Sequence, residues 1–85
     1  MIYTISMSTV LVFRTLKFKI NANDHNPPHV HIEGGGASVR VNLKTFEIMD
    51  TKTNFSERAL GRIVTYVALH SEELMSVWEE YHGKD

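Results

Sequence analysis

Three of the chain's five histidines fall within the seven residues 25–31, in the run Asp24-His25-Asn26-Pro27-Pro28-His29-Val30-His31. Histidine changes charge near neutral pH and, when neutral, is a common metal ligand. His29 and His31 are spaced i and i+2, which on a β-strand aims both imidazoles at the same face. Two imidazoles so placed can converge on one ion, with His25, Asp24 or Glu33 completing the shell. That donor set suits a divalent transition metal such as zinc. The alternative chemistry needs no cofactor. One imidazole can take a proton from a ribose 2′-hydroxyl and another can donate one to the leaving oxygen. Glu33 or Asp24 would orient a ring and Arg40 would stabilise the developing charge, which makes His29, His31, Arg40 and Glu33 the catalytic candidates. A third reading is structural. Asp24 and Asn26 form turns, Pro27-Pro28 stiffens the approach to a strand, and the histidines pair with neighbouring chain groups or a partner protein. Residue types alone leave these three readings open, and they leave both X-Pro bonds free to be cis or trans.

The elements that must position these residues are legible from periodicity. Residues 16–22 alternate strictly, with Leu16, Phe18, Ile20 and Ala22 on one side and Lys17, Lys19 and Asn21 on the other, which predicts a half-buried strand. Residues 9–13 are rich in β-branched types, and Arg14-Thr15 would link them to that strand as a hairpin. His29, His31 and Glu33 then share one face of a third strand, with Val30 and Ile32 on the other. Beyond Gly34-Gly35-Gly36, Val39, Val41 and Leu43 form an apolar face opposed by Ser38, Arg40 and Asn42. A two-residue turn at Gly35-Gly36, where positive φ costs little, pairs Glu33 with Ser38, His31 with Arg40 and His29 with Asn42. A slip of one residue would put His31 beside Val39 and mix the faces. A further strand is expected at residues 46–49, after a turn at Lys44-Thr45 that lacks the usual glycine or asparagine.

From Ser56 the period becomes helical. Ser56 is a good N-cap, and Glu57 suits the positive end of the dipole. Leu60, Ile63, Val64, Val67, Leu74, Val77, Trp78 and Tyr81 recur at spacings of three and four, and Gly83 supplies a stop. The spacing predicts one long helix over 56–82 with an option to restart at His70-Ser71-Glu72-Glu73. The fold class that buries both apolar stripes is α+β: an antiparallel sheet of about four strands over residues 7–50, its apolar face covered by a long, breakable C-terminal helix. Residues 1–6 add little pattern and read as an upstream extension before a second start at Met7.

The chain has 85 residues, 42% of them apolar and 22% charged, which describes a single domain over 1–85. A domain this small has modest stability, so homo-oligomerisation or a partner chain is expected to contribute. It contains no cysteine, which excludes disulfides and thiolate zinc sites. No apolar run approaches the roughly 18–20 residues that span a bilayer, and no basic region leads into an apolar core at the N-terminus. A cytoplasmic location with no membrane contact is the expectation. The net charge of -1 disfavours bulk attraction to nucleic acid. Its distribution is uneven: Arg14, Lys17 and Lys19 lie at one end, and Glu72, Glu73, Glu79, Glu80 and Asp85 at the other. Arg58 and Arg62, one helical turn apart, could grip a phosphate or an acidic partner, or simply face solvent.

The segment from Asp24 to His31 resembles the signature of DUF 4160, a family of small bacterial proteins of unknown function. Met7-Ser8-Thr9-Val10 is similar to the family's usual beginning, the strand around Phe18 to its aromatic-rich strand, and Leu69-His70-Ser71-Glu72-Glu73-Leu74 with Trp78 to its helical ending. The Gly34-Gly36 run and the Lys44-Thr45 turn depart from a family turn that often carries glycine after threonine. The resemblance implies a toxin-like intracellular protein of a bacterial toxin-antitoxin module, held by a small antitoxin-like partner protein, and identifies no target; the polar sheet face centred on His29 and His31 adds the expectation that it acts on RNA or another phosphate-bearing target. It nominates Asp24, His25, His29 and His31; Glu33 and Arg40 enter through the strand register. The contrasting reading is a non-enzymatic metal- or protein-binding module.

Overall fold

In the computed structural model, which describes residues 9–83, the β-branched run and the alternating run form the expected first hairpin. Strand β1 is Thr9–Phe13 and β2 is Leu16–Lys19. Arg14 takes φ +58° in the two-residue link between them. Strands β3 (His29–Gly34) and β4 (Ala37–Asn42) complete an antiparallel sheet of order β1-β2-β3-β4. The register of the second hairpin is the one the alternation predicts. His29 pairs with Asn42, His31 with Arg40 and Glu33 with Ser38, while Val30 pairs with Val41 and Ile32 with Val39. Gly35 and Gly36 carry φ of +57° and +81°, so the turn uses the left-handed region that only glycine enters without a Cβ penalty.

Ser56 caps α1 (Glu57–Leu69), accepting from the Ala59 amide at 3.1 Å, and Gly83 ends α2 (Ser71–His82) with φ +81°. Phe18, Ile20, Val30, Ile32, Val39, Val41 and Leu43 from the sheet side share one core with Ile63 and Val67 of α1 and Leu74 and Trp78 of α2. Each such side chain contributes about 1.5–3 kcal/mol by leaving water. The architecture is therefore α+β, a four-stranded antiparallel sheet with two C-terminal helices on its apolar face. Among the described residues, no helix is long and apolar enough to cross a membrane.

Three local expectations are corrected. The strand predicted over 16–22 ends at Lys19. Ile20 stays buried, but the Asp24 amide bonds back to the Asn21 carbonyl at 3.3 Å, and Ala22 is exposed in the resulting bend. Residues 46–49 make no strand, only a single bridge between Ile48 and Val41. The cause is local: Asn42 Oδ1 accepts from the amides of Lys44 and Thr45 at 2.7 and 3.0 Å. This side-chain turn leads into Phe46 at φ +63°, which breaks the extended backbone. The helix does break where a restart was expected, at His70 (φ -109°, ψ 21°), but Ser71 is the first residue of α2 rather than its cap. The notion of a start at Met7 with an extension before it lies outside the described residues.

Candidate metal centre

The loop from Asn21 to Pro28 brings Asp24 back over the first residues of β3. The Asn26–Pro27 bond within it is cis. Asp24 Oδ2 lies 3.0 Å from His31 Nε2 and 3.4 Å from His29 Nε2. One ligand atom from each of Asp24, His29 and His31 falls within 4.8 Å of the others, and these three form the sole such group of His and acidic side chains among the described residues.

The two rings share a strand face but not an environment. His29 is 5% exposed, and the Trp78 indole of α2 lies 5.4 Å from it. The His31 side chain, two residues further along, is 30% exposed, with the rings 5.1 Å apart. The histidine face is thus polar and open at His31 but enclosed at His29. Enclosure fixes the chemistry of His29. Its Nδ1 is 2.8 Å from the Pro27 carbonyl, and because a carbonyl only accepts, Nδ1 must carry the proton and donate it. The neutral ring then has its lone pair on Nε2, facing a carboxylate oxygen that is also an acceptor. A cation between the two acceptors would satisfy both, as would a proton on either atom.

The spacing fits a cation. Zinc holds imidazole nitrogen and carboxylate oxygen at about 2.0–2.2 Å, so neighbouring ligand atoms of a tetrahedral ion sit roughly 3.3 Å apart. Two of the three separations, 3.0 and 3.4 Å, bracket that value, and the third lies within 4.8 Å. An imidazole N–H donated to a backbone carbonyl is also the usual outer-shell arrangement of a metal-bound histidine, since it fixes both tautomer and ring orientation.

The remaining nominated residues lie outside this group. His25 is exposed and contributes no ligand atom to it. Glu33 is paired instead with Lys19 at 3.1 Å. Arg40 lies opposite His31 in the register, but its side chain is occupied. Asp50 Oδ1 accepts from Nε at 3.0 Å and from Nη2 at 2.8 Å, while Asp50 Oδ2 accepts from the Arg40 amide at 2.7 Å. Burial raises the Asp50 pKa, but the hydrogen bonds and charge of Arg40, helped by His31, outweigh it and hold the carboxyl below its ordinary value of 3.8. Arg40, Asp50, His31 and Lys52 line a polar pocket of about 280 Å³ beside the triad.

Sequence reasoning missed Asp50, Lys52 and the enclosure of His29 by Trp78. No register argument finds Asp50: the Met49 amide bonds the Arg40 carbonyl at 2.8 Å and Ile48 bridges to Val41, so continued pairing would set Asp50 opposite Val39, and its contact with Arg40 comes from the irregular backbone after Phe46. No local pattern announces Trp78, because it arrives from a helix 49 positions downstream of His29.

A family model described as domain of unknown function (DUF4160) matches residues 15–79. No curated protein and no solved structure matches the chain.

Proposed function

The chain belongs to the family described as domain of unknown function (DUF4160), and we propose that it is a metal-binding module in which Asp24, His29 and His31 hold one divalent transition metal such as zinc. The observation that carries this reading is the His29 tautomer: Nδ1–H is committed to the Pro27 carbonyl, which turns the Nε2 lone pair toward Asp24 Oδ2 and His31 Nε2. Two imidazoles and one carboxylate leave further coordination positions on the ion. The half-exposed His31 and the Arg40–Asp50 pocket put those positions within reach of solvent. The test is a calorimetric titration of untagged protein, stripped with chelator, with zinc and with cobalt. One equivalent should bind, and Asp24→Asn and His31→Ala should each weaken binding by about tenfold or more while keeping the wild-type circular dichroism. Absence of stoichiometric binding, or unchanged affinity in both variants, refutes the proposal.

A second reading is favoured by the 3.0 Å contact between Asp24 and the half-exposed His31. With Nε2–H donated to Asp24, a neutral His31 carries its lone pair on Nδ1 and can act as a general base toward a phosphate ester, beside the cations Arg40 and Lys52. This is the RNA-directed, toxin-like protein of the cytoplasm with an antitoxin-like partner. Induced expression of the wild type and of a His29→Ala/His31→Ala double variant tests it. Growth arrest by the wild type alone supports it, and equal effects from two folded proteins end it.

A further inference from the structure

Between the first hairpin and α1 lies a groove of about 720 Å³ that the metal centre does not use. Its floor is apolar, built on the stacked rings of Phe13 and Tyr66, 4.4 Å apart, with Leu69 at one end. Leu69 is 76% exposed, a large apolar side chain left in water. Three guanidinium groups, those of Arg14, Arg58 and Arg62, ring the floor, and no acid lines it. Among the described residues, none of the three has an acidic partner; Arg14 only lies over the Phe13 ring, 5.4 Å from its centroid.

The helix accepts local costs to present this face. Arg58 and Arg62 are like charges one turn apart, which repel. Gly61, between them, is a mid-helix glycine where alanine would favour the helix, and a Cβ there would meet nothing within 4 Å. Bare backbone in the middle of the groove lets another chain approach closely. Unpaired cations, an exposed leucine and a bare helix surface would all be relieved by one kind of neighbour.

We propose that this groove docks an acidic amphipathic helix of another protein, its apolar side chains on Phe13, Tyr66 and Leu69 and its carboxylates on Arg14, Arg58 and Arg62. The dimensions agree. From Arg58 to Leu69 the α1 stripe runs roughly 16 Å, the length of three turns of a partner helix. Charge disfavours a second copy as the occupant, because a two-fold contact through this groove would bring six arginines and no lining acid into one interface. The aromatic rings do not favour a nucleobase either. Tyr66 is already stacked on Phe13 and packed by Phe18 at 4.9 Å and His70 at 4.3 Å, so its ring is engaged by three neighbours before any base arrives.

The probe is a fluorescein-labelled synthetic helix with leucines at i, i+3, i+4 and i+7 flanked by glutamates, compared by anisotropy with the same peptide carrying lysine for every glutamate. The acidic peptide should bind about tenfold tighter or better, and more weakly as salt rises. Arg58→Glu/Arg62→Glu should abolish or invert the preference. Gly61→Leu, which leaves every charge in place, should weaken binding by about tenfold through the blocked approach. Circular dichroism confirms that both variants are folded. Equal binding of the two peptides, no binding of either, or variants that bind as the wild type does would overturn the proposal. Two further outcomes also overturn it by reassigning the groove. These are tighter binding of labelled oligouridylate that the arginine variant abolishes, and a concentration-dependent dimer in sedimentation that the same variant dissolves.

Discussion

Replacing Asp50 with asparagine isolates the contact that stands in for the missing strand at residues 46–49. In the wild type the carboxylate accepts three hydrogen bonds from one residue, the Arg40 amide and two nitrogens of its guanidinium. Asparagine keeps one oxygen and presents an NH2 group to the donors left over. A hydrogen bond to a charged group is worth about 1.5–3 kcal/mol when enclosed. Here the Arg40 and Asp50 side chains are 42% and 24% exposed, so solvent screening draws the ion-pair part toward the roughly 0–1 kcal/mol of surface pairs. The expected loss is about 1–2 kcal/mol at pH 7, which for a domain of this size lowers Tm by roughly 5–15 °C. The pH dependence gives the sharper test. The folded-state pKa of Asp50 lies below its ordinary value of 3.8. Its stabilisation is therefore complete above that value and fades as the pH falls through the folded-state value. Asparagine does not titrate, so the gap between the two proteins should be level from about pH 7 to 5 and close below about pH 4. Urea unfolding followed by the fluorescence of Trp78, the chain's one tryptophan and 2% exposed, reads this directly. A loss below about 0.3 kcal/mol at pH 7, or a gap as wide at pH 3 as at pH 7, refutes the reasoning.

Three further changes probe the scaffold. Ser56→Ala removes the side-chain acceptor for the Ala59 amide and should cost about 1 kcal/mol in urea unfolding; a neutral result would show that water replaces the cap. Gly61→Ala places a Cβ in open space on the exposed face of α1 and should raise stability by about 0.5–1 kcal/mol, measured by the same unfolding experiment, with destabilisation as the contrary result. Gly34→Ala would put a Cβ 2.7 Å from the Thr15 carbonyl oxygen and 3.0 Å from Leu16 Cδ2. Since backbone must yield, a loss of about 1–3 kcal/mol is expected, and a thermal melt unchanged from wild type would contradict it.

The parts of the fold that were legible are those where two local signals agree. The second hairpin was fixed both by alternation and by glycines able to take positive φ, and every one of its expected side-chain pairs is present. Residues 46–49 had alternation alone, and the Asn42 side chain, bonding the amides of Lys44 and Thr45, diverted the backbone so that only the bridge between Ile48 and Val41 forms. The break at His70 was signalled as an option by Ser71 and the two acids after it, and periodicity does not register it. Ile63, Val67, Leu74 and Trp78 stay in one phase across it, because the His70 amide still bonds Tyr66 and Val67 carbonyls at 3.1 and 3.2 Å, and the Leu74 amide bonds the His70 carbonyl at 2.9 Å. A one-residue departure that preserves phase leaves the apolar stripe unchanged. For the candidate site, His29 and His31 were legible because i, i+2 spacing is a property of the strand. Their unequal burial was not, because it depends on Trp78 and on where the loop carries Asp24.

That inequality bears on what the site can do. A pair of equally exposed imidazoles on a flat sheet would reorient freely, and any ion they bound would pay the entropy of ordering both rings. Here one ring is ordered before any ligand arrives: His29 is held by the Pro27 carbonyl on one edge and enclosed beside Trp78. The other ring stays at the surface, with Asp24 between them as the common partner. Preorganisation on the buried side and access on the open side are the two demands a binding or catalytic centre places on its scaffold. One strand face carries both, two positions apart: the Pro27 carbonyl and Trp78 of α2 hold the first ring, and the second is 30% exposed. The chemistry of the segment follows from which strand position lies beside Trp78, so a histidine pair two residues further along β3, at the half-buried position of His31 and the exposed position of Glu33, would have the same spacing without the enclosed member.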